Sequence, residues 1–474
     1  MSNDRPDLRQ EKFIRMTTTP VHKLVLKLSV PTIASMLVTA LYNLADTFFV
    51  SSIGGYAGTC AIAAVSVSLS VMALIQALGF FVGQGAANFI SRALGRQNVR
   101  RASEMAATGL FLALFLGAVV LTIGELFTEP IARFLGADEE FVGPTADYLR
   151  WIFAAAPMMM GSFCLNNQLR FQGNALYGMI GVVSGAALNV GLDPLFIHGL
   201  GMGAEGAALA TAISQTVGFS VLLSGTFRGD NLRIHPSRIR VSGENLGLIV
   251  QGGLPSLMRQ GCAAVSVTIL NRVAGDVGAA DPAIGRAVLI AAFGMVSKIV
   301  MMMNNAVIGL GQGYQPVCGF NYGAGQYSRV RRAFWFLVKA VACWCLLMVV
   351  LGEIFAPQVV RLFPDAEPKV RELAAVILRF QCAAFFVNCW VVPSNMTQQT
   401  MGWMVSASLL AMARQGLFLI PMVLLLPRLF GLTGLELAQP VSDVCTFFLA
   451  IPLQARVLRH LSQPDKSLPQ GPAF

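Results

Sequence analysis

Apolar runs of about twenty residues recur along the whole chain, separated by short polar segments rich in Gly, Lys and Arg. Twenty residues at about 1.5 Å each make a helix as long as a bilayer core is thick. The pattern predicts twelve such spans, centred near residues 40, 72, 114, 160, 186, 215, 258, 298, 345, 384, 415 and 446. The expected fold is therefore an all-α polytopic membrane protein of twelve transmembrane helices.

Composition supports that pattern. The chain has 474 residues, is 55% apolar and is only 12% charged, whereas soluble domains run nearer about a quarter charged. Mean hydropathy is +0.64. The polar start "MSNDRPDLRQEKF" has neither the apolar core nor the cleavage site of a signal peptide. A net charge of +10 raises the question of nucleic acid, but the basic residues sit in short loops between apolar runs, so no nucleic-acid partner is expected. Nine scattered cysteines without metal-ligand spacing read as small buried hydrophobes.

The basic loops fix the expected topology. Clusters precede span 1 (Arg15, Lys23, Lys27), join spans 2 and 3 (Arg92, Arg96, Arg100, Arg101), join spans 6 and 7 (Arg228, Arg233, Arg238, Arg240), join spans 8 and 9 (Arg329, Arg331, Arg332), and follow span 12 (Arg456, Arg459, Lys466). All fall on one side, and the opposite loops are short or acidic, as in "GADEEF" at 136–141. Both termini are expected in the cytoplasm, with the chain in the inner (plasma) membrane.

An internal repeat divides the chain. Residues 83–85 and 311–313 both read "GQG", an offset of 228, and each run is followed by a segment ending in "RRA". "YLRW" at 148–151 faces "ILRF" at 377–380, an offset of 229, and Gly173 and Gly402 differ by the same amount. Pro31 and Pro255, each near a span start, differ by 224. The chain then comprises two six-helix lobes related by a pseudo-two-fold axis along the membrane normal, an arrangement in which transporters bind substrate between the lobes. The expected boundaries are a cytoplasmic segment 1–22, a first lobe 23–227, an inter-lobe loop 228–245, a second lobe 246–458 and a cytoplasmic tail 459–474.

Charges inside the spans are the candidate chemistry, because an ionised group in the bilayer is costly and usually faces a cavity. Asp46 is the one charged residue between Lys27 and Arg92, and Asp193 is equally isolated in span 5. Asp46, Asp193 and Thr211 each lie eight residues from an outer-turn glycine, so all three sit roughly 10 Å in from the outer ends. Asn189 shares a helix face with Asp193, and Tyr42 with Asp46, each pair being four residues apart. These oxygens suit a proton or Na⁺. No acid occurs at the corresponding places of the second half, so the ion site is assigned to the first lobe. Arg259, Arg414 and Asp443 are expected to pair or snorkel. Lys298 has two readings, a cavity charge or a structural pair. Met158 and Met301, from the clusters at 158–160 and 301–303, read either as core filling or, with Gln312 of the second "GQG", as a substrate cavity.

The residues 170–211, "RFQGNALYGMIGVVSGAALNVGLDPLFIHGLGMGAEGAALAT", and 309–326, "GLGQGYQPVCGFNYGAGQ", resemble signatures of the multidrug and toxic compound extrusion (MATE) family, in its prokaryotic DNA-damage-inducible F-like branch. "PTIASMLVTALYNLADTFFV" at 31–50 is similar to that family's first span. The resemblance implies a twelve-helix, two-lobed antiporter that expels amphipathic, often cationic compounds in exchange for H⁺ or Na⁺; no other cofactor and a monomer are expected, and the lack of an HExxH or GxSxG string argues against an enzyme. It implies a cation site at Asp46, Asn189, Asp193 and Thr211, with Tyr42 one turn before the aspartate. Glu205 departs from the family, whose outer turn more often has an uncharged residue there. The alternative within the same superfamily is a flippase for a lipid-linked precursor, which predicts a strongly cationic central cavity.

Overall fold

In the computed structural model residues 6–53, 55–280, 284–361 and 367–465 are described; among them every regular element is helical. A short helix α1 (Pro6–Thr18) precedes the first spans, α2 (Val21–Ser51), α3 (Gly55–Gly95) and α4 (Val99–Leu126). A small helix α5 (Thr128–Phe134) leads into α6 (Val142–Phe171), α7 (Ala175–Pro194) and α8 (Gly203–Thr226). The second lobe holds α9 (Gly243–Ala280), α10 (Arg286–Gly323), α11 (Tyr327–Val360), α12 (Pro368–Phe385), α13 (Asn388–Met401), α14 (Met404–Met412) and α15 (Leu419–His460).

Among the described residues, nine helical stretches are long and apolar enough to cross a bilayer by themselves. The rest of the twelve follow from three local features. Helices α12 and α13 bend by 58° and make one broken span. The stretch Met404–His460 covers 57 residues, and a straight rod of that length would reach about 85 Å, far beyond a bilayer. It breaks at Gly431, whose φ of 58° and ψ of −132° suit only glycine, and so folds back as two spans. Helix α9 is long enough but carries Glu244, Arg259, Arg272 and Asp276, which lower its hydropathy.

The first and last described segments, α1 and the end of α15, lie at one end of the bundle. The Asn321 amide at the end of α10 donates to the Met16 carbonyl of α1 (3.2 Å), and the Ser328 N–H donates to Asp465 after α15 (2.7 Å). The described residues of the five basic clusters gather at this same end, since their loops join helices that finish there. The acidic loop 138–140 lies at the far end, with Glu205, which accepts from Trp151 Nε1 at 3.1 Å.

The lobes meet through two seams of small residues. Helix α10 presses Gly309 onto Ile33 and Gly313 onto Ser29 of α2, then Gly319 onto Ser91 and Gly323 onto the Arg92 carbonyl of α3. The second seam joins α3 to α9, with Gly85 against the Ile249 carbonyl and Gly253 against the Phe81 carbonyl. Such small-xxx-small spacings let backbones touch in a medium that supplies no hydrophobic force between helices. A layer of amides accompanies the seams. Gln399 Nε2 donates to Gln84 Oε1 (3.0 Å), Ser256 Oγ (2.8 Å) and the Gly252 carbonyl (2.9 Å), and Asn88 Nδ2 reaches the same carbonyl at 3.3 Å. These inter-lobe hydrogen bonds, with that of Ser29 to the Leu310 carbonyl, lie in the half nearer α1. These seams and amides pack the two lobes tightly at that end.

Candidate functional site

Helix α7 ends in the sequence Asn189–Pro194, and a π-helical turn at Leu195–Gly199 follows it. Pro194 has no N–H to offer, and the wider turn absorbs that loss while keeping the backbone helical. The four-residue spacing then stacks Asn189 over Asp193 on the face that packs against α8. Asn189 Nδ2 donates to Asp193 Oδ1 at 3.2 Å and to Thr211 Oγ1 of α8 at 3.4 Å. All three side chains are buried, at 1%, 0% and 4% exposure. The oxygen Asn189 Oδ1 accepts no hydrogen bond among the described residues.

A buried amide oxygen seldom goes without a donor. A proton shared with the carboxylate or a Na⁺ among these oxygens would engage Asn189 Oδ1, because hard oxygens are the ligands such ions take. Helix α2 packs against α7, and Tyr42 is half-buried on it. The side chain of Asp46, the other expected acid, lies outside the described residues; its backbone belongs to α2. Three of the five expected site residues are thus in one cluster, and Tyr42 is on the helix beside it.

The expected cavity residues do not share one environment. Met158 packs inside the first lobe against the cluster of Leu110, Leu165, Leu169, Phe219 and Leu222. Lys298 and Met301 are exposed on α10. Gln312 is buried between the lobes, where it accepts from Arg170 Nη1. That contact went unnoticed in the sequence, although Arg170 opens the 170–211 signature.

The second lobe places different chemistry in the corresponding helices. Arg414 lies in a π-helical turn, Ala413–Leu417, and donates from Nε to Asp443 Oδ1 of α15 at 2.9 Å. Asn304 and Gln439 complete the group, at 3.2 Å from Arg414 Nη1 and 2.8 Å from Asp443. The expected pairing of Arg414 and Asp443 is therefore observed, and their charges offset one another. Arg259 does not take the pairing half of that expectation. It is half-buried in α9 and makes no ion pair or hydrogen bond among the described residues.

The matches to known proteins agree with this architecture. The MatE family model matches residues 31–195 and 284–425, the bulk of both lobes. The chain belongs to the MatE family. The multidrug export protein MepA of Staphylococcus haemolyticus is 25% identical over 446 residues, covering 94% of this chain and 95% of its own. MepA of Staphylococcus aureus strain N315 is 27% identical over 432 residues, covering 90% and 92%. Two solved structures superpose with a TM-score of 0.87 at 25% identity, covering 95% of this chain and 99% of theirs. One is an outward-facing multidrug resistance MATE transporter of the MOP superfamily. The other is a MOP superfamily transporter from Pyrococcus furiosus, described as having a binding pocket of reversed polarity that suggests a different function. The family and these relatives are membrane transporters, and the chain is a multi-pass membrane protein of their twelve-helix, two-lobed fold.

Proposed function

We propose that this transporter is a secondary antiporter that exports amphipathic small molecules, cationic ones among them, in exchange for H⁺ or Na⁺. The observation that carries this reading is the buried Asn189–Asp193–Thr211 cluster, an oxygen-rich site in one lobe of a duplicated scaffold. The MepA relatives, multidrug export proteins across nearly their whole length, support the direction and class of cargo.

In this reading the basic end that holds the termini faces the cytoplasm of a cell whose inner membrane the chain spans. The seams at that end are then closed and the cleft opens outward. A cation on Asp193 from outside, with Asp46 as the expected second acid, would favour one packing of the lobes, and substrate the other. Exchange follows if the two ligands prefer different states, each shifting the equilibrium by its differential affinity.

The test is flux in proteoliposomes. A pH or Na⁺ gradient imposed across the membrane should drive a fluorescent amphiphile against its own gradient. Asp193→Asn should lower that flux at least tenfold. Wild-type flux in Asp193→Asn would remove the proposed coupling role.

A further inference from the structure

Two arginines at the junction between the lobes, Arg170 and Arg259, have no carboxylate partner among the described residues. Arg170, the next-to-last residue of α6, is 4% exposed. Side chains on a helix lean toward its N-terminus, which for α6 is the far end, so the guanidinium points inward from the termini. It is held there by neutral partners, donating from Nη1 to Gln312 Oε1 of α10 and from Nη2 to Asn167 Oδ1. Its Nε has no partner among the described residues. The Phe171 ring centroid lies 5.5 Å from Cζ.

Arg259 comes to the same junction from the other lobe. It sits one turn beyond Ser256, the residue whose hydroxyl donates to Gln84 in the closing amide layer. Helix α9 runs upward from the termini, so its side chains lean back toward that layer, and thus toward Arg170. A chain of contacts joins them: Asn167, which holds Arg170, lies against Gly83, and the neighbouring Gln84 accepts from Ser256, one turn before Arg259. Neither meets a carboxylate among the described residues.

A buried cation without a carboxylate is costly, and a second one set nearby adds to that cost. A chain that keeps both beside neutral amides gains most if an anion completes the group. Guanidinium forks recognise carboxylate and phosphate through paired N–H donors. Arg170 still has Nε free, and Arg259 has its whole fork. We propose that Arg170 and Arg259 form the floor of the inter-lobe cleft as a site for an oxyanion, supplied by the carboxylate of an amphiphilic substrate or by free phosphate. The inference rests on the reading of the chain as an exporter of amphiphiles, and it adds a preference for those that carry an acid group. It also ties binding to lobe packing, because the Arg170–Gln312 contact spans the two lobes and exists only while they are closed at the termini.

The test uses full-length protein in detergent, at equilibrium and without a gradient. Rhodamine B carries a free carboxylate, and its ethyl ester has the same skeleton without it. Fluorescence anisotropy should give rhodamine B about a tenfold tighter Kd than the ester. Arg259→Gln should reduce that ratio below threefold, and Arg259→Lys, which keeps the charge but not the fork, should hold it in between. Inorganic phosphate at constant ionic strength should displace rhodamine B and spare the ester, a wild-type result that needs no variant to fold. If the ratio is near one but calorimetry shows phosphate binding that Arg259→Gln abolishes, the site stands with a free anion as its occupant. If neither dye preference nor phosphate binding is found, or if Arg259→Gln leaves both intact, the site is overturned. Because no gradient is used, this result is independent of whether Asp193→Asn abolishes coupled flux.

Discussion

Gly85 of α3 and Gly313 of α10 occupy equivalent places in the two seams: Gly85 lies against the Ile249 carbonyl of α9, and Gly313 against Ser29 of α2. Both are the last residue of a "GQG" run. A Cβ at either position would run into backbone that cannot rotate away. Overpacking of this kind costs about 1–3 kcal/mol, and each 1.4 kcal/mol is about tenfold in an equilibrium. Gly313→Val or Gly85→Val should therefore shift the lobes away from closure at the termini end by about tenfold. Spin labels at positions 100 and 331, with the native cysteines replaced, should report a longer distance population. An unchanged distance distribution in both variants would show that the seams do not set closure.

Asn189 is the hub of the candidate ion site, because it donates to both Asp193 and Thr211. A hydrogen bond to a charged group is worth about 1.5–3 kcal/mol. Asn189→Leu should lower gradient-driven flux about tenfold or more. Thr211→Val removes only the longer, 3.4 Å contact, and a neutral hydrogen bond is worth about 1 kcal/mol, so its effect should stay near fivefold. Equal losses in the two variants would argue against the amide as the organising group.

The Arg414–Asp443 pair serves a different purpose from Asp193. Both partners are largely buried, and removing one partner of a buried pair costs about 3–5 kcal/mol, while replacing both with apolar groups is often neutral. Asp443→Leu alone should lower the melting temperature of the purified protein, and Arg414→Met with Asp443→Leu should recover most of it. A double variant as unstable as the single one would show that Asn304 and Gln439 depend on the charges themselves.

Much of the fold could be read in the sequence because membrane physics leaves few options. Long apolar runs must be helices, and the repeated "GQG" marks where two such runs must touch another backbone. The Asn189–Asp193 pair was legible for the same reason, as a four-residue spacing on a helix has one geometry. Arg170 and Arg259 were not legible as a pair. They are 89 positions apart in the sequence and on different lobes, and only the crossing of α6, α9 and α10 brings their charges together. By contrast, the reversal between the spans centred near 415 and 446 was legible, and the structure places it at Gly431.

Helix α1 lies outside the matched family residues, which begin at 31, yet it bridges the lobes. Lys12 pairs with Asp230 of the loop after α8 at 3.3 Å, and Arg329 Nη2 of the second lobe donates to the Thr19 carbonyl at 2.7 Å. Burial opposes charge on Asp230, but the Lys12 ammonium and the Asn174 amide, at 2.9 Å, outweigh it and hold the carboxyl below its usual range. A carboxyl with a depressed folded value stabilises the docked helix above its unfolded pKa of about 3.9, and loses that contribution only as pH falls through the folded value. Docking should therefore be the same at pH 8 and pH 5. Asp230→Asn should loosen α1 at both, because it leaves the buried Lys12 ammonium facing a neutral amide. Hydrogen exchange corrected for intrinsic rates should show protection of residues 10–18 reduced at least fivefold in the variant. A wild-type loss of protection between pH 8 and pH 5 would mean that a group other than Asp230 holds the helix down.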